Sequence, residues 1–312
     1  MSGPATPDDT VLGGPAAPVP ATATVEVTPS RDALVGAVTV RRALPQRTRR
    51  TIGAWCFVDH FGPARVTEQR GFDVGPHPHI GLQTVTWLIE GEILHRDSLG
   101  SEQVIRPGQL NLMTAGHGVS HSEEGTGTYR GDLHGIQLWV AQPDATRDGA
   151  AAFEHHAELP RLDLAAGTAT VLVGELDGAA SPARRDSDHV GADLDLRAGT
   201  TVVPVEPNYE YGLVVARGRV TVDGVAVEPG RLAYLGTGRA EVALRATEPA
   251  RALLIGGVPR DAPVLMWWNY VARNRAEVVA AHASWTADDG RFGTVASQLE
   301  RIVVGPPPWP TA

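Results

Sequence analysis

The feature that most restricts this chain is its punctuation: from about Ala33 to Ile255, short apolar or alternating runs recur between glycine, proline and aspartate turns. Ala37-Val38-Thr39-Val40, Leu82 to Ile89, Leu110 to Met113 and Ile136 to Val140 are such runs. Others lie at Ala169 to Val173, Thr200 to Val205, Tyr211 to Val215, Gly218 to Val222, Leu232 to Leu235 and Ala250 to Ile255. Side chains alternate faces along a strand, so short runs with turns between them specify strands rather than helices. No helical period longer than about three turns appears before roughly the last fifty residues. There, Ala272 to Ala283 reads as an amphipathic helix. Many short strands, with 35 glycines and 24 prolines to turn them, predict an all-β chain of sandwich or barrel type.

At 312 residues the chain is long for one such core, and two units of about 100–150 residues are expected. An internal echo points to duplication. Ile89-Glu90-Gly91-Glu92-Ile93 followed by Arg106-Pro107-Gly108-Gln109-Leu110 resembles Val215-Ala216-Arg217-Gly218-Arg219-Val220 followed by Glu228-Pro229-Gly230-Arg231-Leu232. Each pairs a glycine-bearing hairpin with a Pro-Gly turn into a strand. The expected divisions are a flexible tail over 1–33, a first barrel over 34–145, a linker with joining strands over 146–190, and a second barrel with a C-terminal extension over 191–312. Within these, Gln142 to about Leu159 reads as a linker or short helix, and Pro306-Pro307-Pro308 fits no helix interior or central strand.

Charge and cysteine usage exclude several classes. A formal net charge of −9 argues against a protein that grips nucleic acid by neutralising phosphates. One basic cluster, Arg41, Arg42, Arg47, Arg49 and Arg50, could touch an acidic partner, although a solvated hairpin is the simpler reading. The sole cysteine, Cys56, can form no internal disulfide, which suits a reducing compartment. No signal-peptide pattern opens the sequence and no run of eighteen or more apolar residues occurs, so a cytoplasmic location is expected.

The chemistry concentrates in two triplets. His77-Pro78-His79 is followed forty-two residues on by His121-Ser122-Glu123. Residues i and i+2 of a strand share a face, so each triplet would aim two donors the same way. If the strands are neighbours, three imidazoles and a carboxylate converge on one mononuclear metal ion. This donor set suits Fe(II), Mn, Co, Ni or Zn, and the lack of thiolates speaks against a structural zinc. Glu124 is an alternative carboxylate, but period two sends it to the opposite face from His121, which selects Glu123. His117 shares the phase of His121 yet sits between Gly116 and Gly118, and reads as a solvated turn or a residue at the pocket mouth. His95 and Asp97 form another i, i+2 pair, better suited to a supporting hydrogen bond than to ligation. Val85 and Trp87, in phase with His79, could line an apolar slot for a flat ring or simply pack a core.

At these residues the chain resembles the pirin family of the cupin superfamily. The resemblance runs through Phe57-Val58-Asp59-His60-Phe61-Gly62-Pro63, His77-Pro78-His79-Ile80-Gly81-Leu82-Gln83-Thr84-Val85, and Met113-Thr114-Ala115-Gly116-His117-Gly118-Val119-Ser120-His121-Ser122-Glu123, and continues at Gln137-Leu138-Trp139-Val140. It is looser beyond Pro143 but includes Met266-Trp267-Trp268-Asn269. The resemblance implies a bicupin, two cupin-type barrels, with one metal, usually iron, in the first. The ligands would fall on His77, His79, His121 and Glu123. Gln83 stands where pirins commonly carry Glu, and His117 where Arg is common. No histidine lies between Val190 and Ala281, so a second site of this kind is not expected.

The resemblance further implies a quercetin 2,3-dioxygenase activity, in which a flavonol ring is cleaved with O₂ and carbon monoxide is released. A metal on these ligands would acidify the flavonol 3-hydroxyl, and Glu123 would be the base that takes its proton. Other pirins act as non-catalytic regulators that bind transcriptional or metabolic proteins, with the metal as a redox or structural switch. An oxygenase or isomerase acting on another small molecule is a third reading, since cupins host many chemistries.

Overall fold

The structure, a computed structural model, describes residues 11–12, 24–36, 38–67 and 72–309. Two units share one plan. In the first, a seven-stranded antiparallel sheet runs in the spatial order Ala152–His156, Leu110–Thr114, Leu82–Glu90, Gly131–Ala141, Trp55–Val66, Val38–Leu44 and Arg31–Val35. It faces a four-stranded sheet of Val74–His79, Val119–Glu124, Ile93–Asp97 and Glu102–Ile105. The second unit repeats the order with Glu26–Pro29, Arg231–Gly236, Glu210–Arg217, Ala250–Gly257, His189–Leu196, Gly167–Val173 and Arg161–Leu164, and a four-stranded sheet of Gly199–Pro204, Glu241–Ala246, Val220–Val222 and Val225–Val227.

The two hairpins of the sequence echo hold matching places. Gly91 and Gly218 turn out of Leu82–Glu90 and Glu210–Arg217, and Gly108 and Gly230 lead into Leu110–Thr114 and Arg231–Gly236. All four glycines have positive φ, which a Cβ disfavours. The expected barrels are, in detail, pairs of facing sheets. Among the described residues, strand pairing does not join the two sheets of a unit into one continuous barrel.

Three boundaries differ from the sequence reading. Glu26–Pro29 and Arg31–Val35 are paired strands although a tail was expected as far as residue 33, while residues 1–10 and 13–23 of that tail lie outside the described ones. Ala152–His156, expected as linker or helix, is an edge strand of the first unit. The helix spans Arg275–Ala287 rather than 272–283, because Asn274 caps it by accepting the Glu277 N–H at 3.0 Å and Asp288 ends it in a left-handed turn. Three of the five clustered arginines are engaged within the molecule: Arg41 donates to the Gly62 carbonyl, Arg42 holds Asp59 through two bonds of 2.8 Å, and Arg49 pairs with Glu26 while lying over Tyr234.

Outer faces of the two large sheets pack together, with Val58, Val85, Trp87, Leu112 and Leu138 against Leu172, Val214, Leu232, Leu253 and Ile255. The second unit's interior is aliphatic, built from residues such as Ala192, Leu213, Val242, Leu244 and Leu254. Over the outer face of the first unit's small sheet lies a C-terminal cluster of Trp267, Tyr270, Trp285 and Phe292 with Ile80. Ser120 donates its N–H to the Phe292 carbonyl, and Ile302 donates to Pro76. This cover is why every residue of Val74–His79 and Val119–Glu124 is buried, where an open sheet would alternate.

Candidate metal centre

Val74–His79 and Val119–Glu124 are adjacent antiparallel strands, in which His121 pairs with His77 and Val119 with His79. Side chains opposite one another in such a pair are neighbours. Ligand nitrogens of His77, His79 and His121 lie within 4.8 Å of one another, all three rings buried. Glu123 is outside that group of three, although it too is buried, and a register shift falls between His121 and Glu123. Glu124 is committed elsewhere: it accepts from Ser122 Oγ at 2.6 Å and from Arg96 at 2.6 Å. Alternation then leaves Glu123 on the side of His121.

Hydrogen bonds define which nitrogen of each ring carries a lone pair inward. His77 Nδ1 lies 2.9 Å from the Gly75 carbonyl and His79 Nδ1 lies 3.0 Å from the Asn269 carbonyl. A carbonyl only accepts, so both Nδ1 atoms donate and both Nε2 atoms present lone pairs. His77 Nε2 is buried with no hydrogen-bond partner, and His79 Nε2 faces His121 Nε2 at 3.1 Å. His121 Nδ1 reaches His95 Nδ1 at 3.4 Å, and His95 Nε2 reaches Asp97 Oδ2 at 3.1 Å. With Asp97 as the terminal acceptor, protons along this chain leave His121 Nε2 as a third lone pair. Three lone pairs converging in a buried space repel one another unless a cation lies among them. The residues therefore fit a divalent metal.

Burial pushes all three imidazoles well below their usual range, and for His121 the neighbouring His77, His79 and His95 add to it. They are neutral at physiological pH, as metal ligation requires. Asp97 is held below the ordinary carboxylate range: burial acts to raise it, but its bonds to His95 and Ser101 outweigh that. Burial lifts the Cys56 thiol to about 12, so it is neither ligand nor nucleophile.

Aromatic rings wall the site. Trp139 lies edge-on to His79 at 5.2 Å and stacks on Phe57 at 4.0 Å, while Phe153 stacks on His95 at 4.4 Å. Of the two readings of Val85 and Trp87 from the sequence, a wall of this site or plain core packing, the structure shows the second: both lie in the core between the units. The reason is Gly81, whose φ of 65° breaks the phase between Val74–His79 and Leu82–Glu90. A Cβ at this position would collide with the Val271 carbonyl. Thr84 and Thr86 thus pair in register with the inward residues of their neighbours. His117 is exposed on the turn after Leu110–Thr114, and its carbonyl accepts from Arg291 at 2.9 Å. The Asn269 carbonyl, 190 residues from the ring it orients, had no local signal.

Comparison with known proteins agrees with this layout. A family model described as Pirin matches residues 37–140, and one described as Pirin C-terminal cupin domain matches residues 191–293. Both units are cupin domains, and the chain is an all-β bicupin with a short C-terminal helix. It is 49% identical over 276 residues to "Putative quercetin 2,3-dioxygenase PA1205" of Pseudomonas aeruginosa, covering 88% of this chain and 87% of that protein. A crystal structure of quercetin 2,3-dioxygenase from Acinetobacter baumannii superposes with a TM-score of 0.89 at 42% identity, over 92% of this chain and 97% of that one. A pirin of Escherichia coli crystallised in complex with nickel(II) shares the fold, with a TM-score of 0.61 at 18% identity over 76% of this chain and 100% of that one.

Proposed function

The chain belongs to the pirin family, and on that premise we propose that it is a metal-dependent flavonol 2,3-dioxygenase of the quercetin type. The observation that carries the reading is the convergence of three buried imidazoles with inward lone pairs, in a chain 49% identical to a protein named for this activity. In this reading residues 34–145 are the catalytic unit and residues 191–312 support it, in the cytoplasm. No helix among the described residues is long and apolar enough to cross a membrane.

His77, His79, His121 and Glu123 would hold one divalent metal, Fe(II) first, with Ni, Mn, Co or Zn as alternatives. When bound, it supplies Lewis acidity toward a flavonol 3-hydroxyl and the redox chemistry that O₂ requires. The chain's own residues do the rest. Glu123 accepts the 3-hydroxyl proton as general base. Trp139 and Phe57 offer a flat apolar face against which the substrate's rings can lie. The Gly75 and Asn269 carbonyls hold His77 and His79 in one tautomer, and the C-terminal cover keeps water from the back of the strands.

A non-catalytic regulatory role has less support, because three members of the arginine cluster that suggested a partner are engaged internally. The test is aerobic incubation of iron-, nickel-, manganese- and cobalt-loaded protein with a flavonol panel. Quercetin should be consumed, with carbon monoxide evolved, only by loaded protein. His121→Ala should abolish both metal binding and turnover. Turnover surviving in that variant, or no turnover with any metal, would refute the proposal.

A further inference from the structure

A row of polar side chains crosses the interior of the first unit on the rung next to the aromatic wall. Strand register places Arg42 opposite Asp59, Asp59 opposite Gln137, Gln137 opposite Thr86, Thr86 opposite Asn111 and Asn111 opposite His155. The same pairings set Phe57, Trp139, Thr84, Met113 and Phe153 two residues away along their strands, hence on the same face. That face meets the candidate metal site, since Trp139 lies against His79 and Phe153 against His95, which backs His121. The polar row therefore looks into the same interior.

Its members differ in how they are engaged. Asp59 spends both oxygens on Arg42, and Asn111 Oδ1 lies 2.7 Å from His155 Nδ1. Gln137 is fully buried, yet neither its Oε1 nor its Nε2 meets a protein partner, and Asn111 Nδ2 is in the same condition. A buried carboxamide left so costs free energy that an apolar residue would spare. The fold does not demand it. In the second unit an inward rung at the same strands reads Ala192, Leu254, Leu213, Ala233 and Val27.

We propose that Gln137, with Asn111 beside it, reads the ring hydroxyls of a polyhydroxylated aromatic substrate. This deepens the dioxygenase reading and rests on it for where the substrate lies. A phenolic hydroxyl both donates and accepts, matching an amide that presents an oxygen and an NH₂ group. Asn111 Nδ2 adds a second donor. A carboxylate is less well served, because the only cation in the row, Arg42, is already paired with Asp59. An unsubstituted ring would desolvate these groups and return nothing, so the site discriminates against it.

The experiment is equilibrium dialysis of quercetin and of 3-hydroxyflavone, which keeps the 3-hydroxyl and the ring skeleton but lacks the ring hydroxyls, against metal-loaded protein. The wild type should bind quercetin about 10- to 100-fold more tightly than 3-hydroxyflavone. Gln137→Met should erase most of that preference while melting at or above the wild-type temperature. Asn111→Leu should reduce the preference in part, and stands in should the first variant not fold. A preference kept by both variants, or a Gln137→Met protein that melts well below wild type and binds both ligands equally more weakly, would assign the row a structural role and overturn the proposal. Turnover on the same samples separates the two readings. Consumption of both flavonols without preference overturns the row and leaves the dioxygenase. A preference that vanishes with Gln137→Met, in protein that turns over neither, keeps the row and refutes the dioxygenase. Failure to bind either ligand overturns the row.

Discussion

The two units of this bicupin have the same strand order in both sheets, yet opposite interiors. Val119–Glu124 of the first lies between Val74–His79 and Ile93–Asp97, as Glu241–Ala246 of the second lies between Gly199–Pro204 and Val220–Val222. The first strand carries His121 and Glu123 inward, whereas the second carries Val242, Leu244 and Ala246. Across the large sheets the contrast repeats, Gln137 and Asn111 against Leu254 and Ala233. One scaffold thus folds around either filling, so the polar content of the first unit is not a requirement of the framework. Burying polar groups costs stability, and the aliphatic core of the second unit is well placed to offset it.

If that division of labour holds, the same kind of truncation should have different consequences in the two units. Leu244→Ala, in the strand that matches the ligand strand, should destabilise the protein by about 2–5 kcal/mol through a buried cavity while leaving metal stoichiometry unchanged. Thermal melting together with elemental analysis measures both. Metal lost in proportion to stability would show that the second unit shapes the site directly, and the contrast between the halves would break.

Acid should expose the seam between the units. His189 opens an inner strand of the second unit and meets Trp55 of the first edge-on at 5.2 Å. Burial pushes it down to about 4. The folded protein keeps this ring neutral while the unfolded chain protonates it near its ordinary value of about 6.5. Its contribution is therefore fully present above about pH 6.5 and is lost as the pH falls toward about 4, at roughly 1.4 kcal/mol per pH unit. His189→Gln should remove about 2 kcal/mol of the wild type's loss between pH 7 and pH 5, read from denaturant titrations of metal-free protein. His60 and His134, also depressed by burial, supply a background common to both proteins. Equal acid sensitivity in the variant would mean that the seam does not sense this proton.

How much of this was legible beforehand follows from how far each signal reaches along the chain. Period two within a strand is local, so His77, His79 and His121 could be matched before any fold was known, and Glu124 set aside. The hairpin echo survives because glycine and proline act on their own backbone. For Val85 and Trp87 the sequence left slot and core both open, because their phase runs through Gly81, where a positive φ resets it and turns them to the core. The row from Asp59 to His155 was hidden for another reason: it exists only in the register of five strands, which no single window contains. The Asn269 carbonyl behind His79 and the strand at Glu26–Pro29 in the second unit's sheet are likewise pairings across most of the chain.

The smallest effect tests whether the asymmetry extends beyond the ligands themselves. His121 is backed by His95 and then Asp97, whose other oxygen accepts the N–H groups of Leu99 at 2.9 Å and Ser101 at 3.0 Å. No histidine between Val190 and Ala281 could build such a chain in the second unit. The carboxylate at its end keeps Nδ1 of His121 as the donor and raises the basicity of the nitrogen that faces the site. Asp97→Asn keeps the shape, and an amide oxygen can still accept from His95, but the charge is gone. Metal affinity should then fall by about 10- to 100-fold, equivalent to about 1.4–2.7 kcal/mol. The measurement is competition against a chelator of known affinity, with the melting temperature of metal-free protein as control. Unchanged affinity in a normally folded variant would reduce His95 and Asp97 to packing, and confine the difference between the two units to the residues that touch the metal.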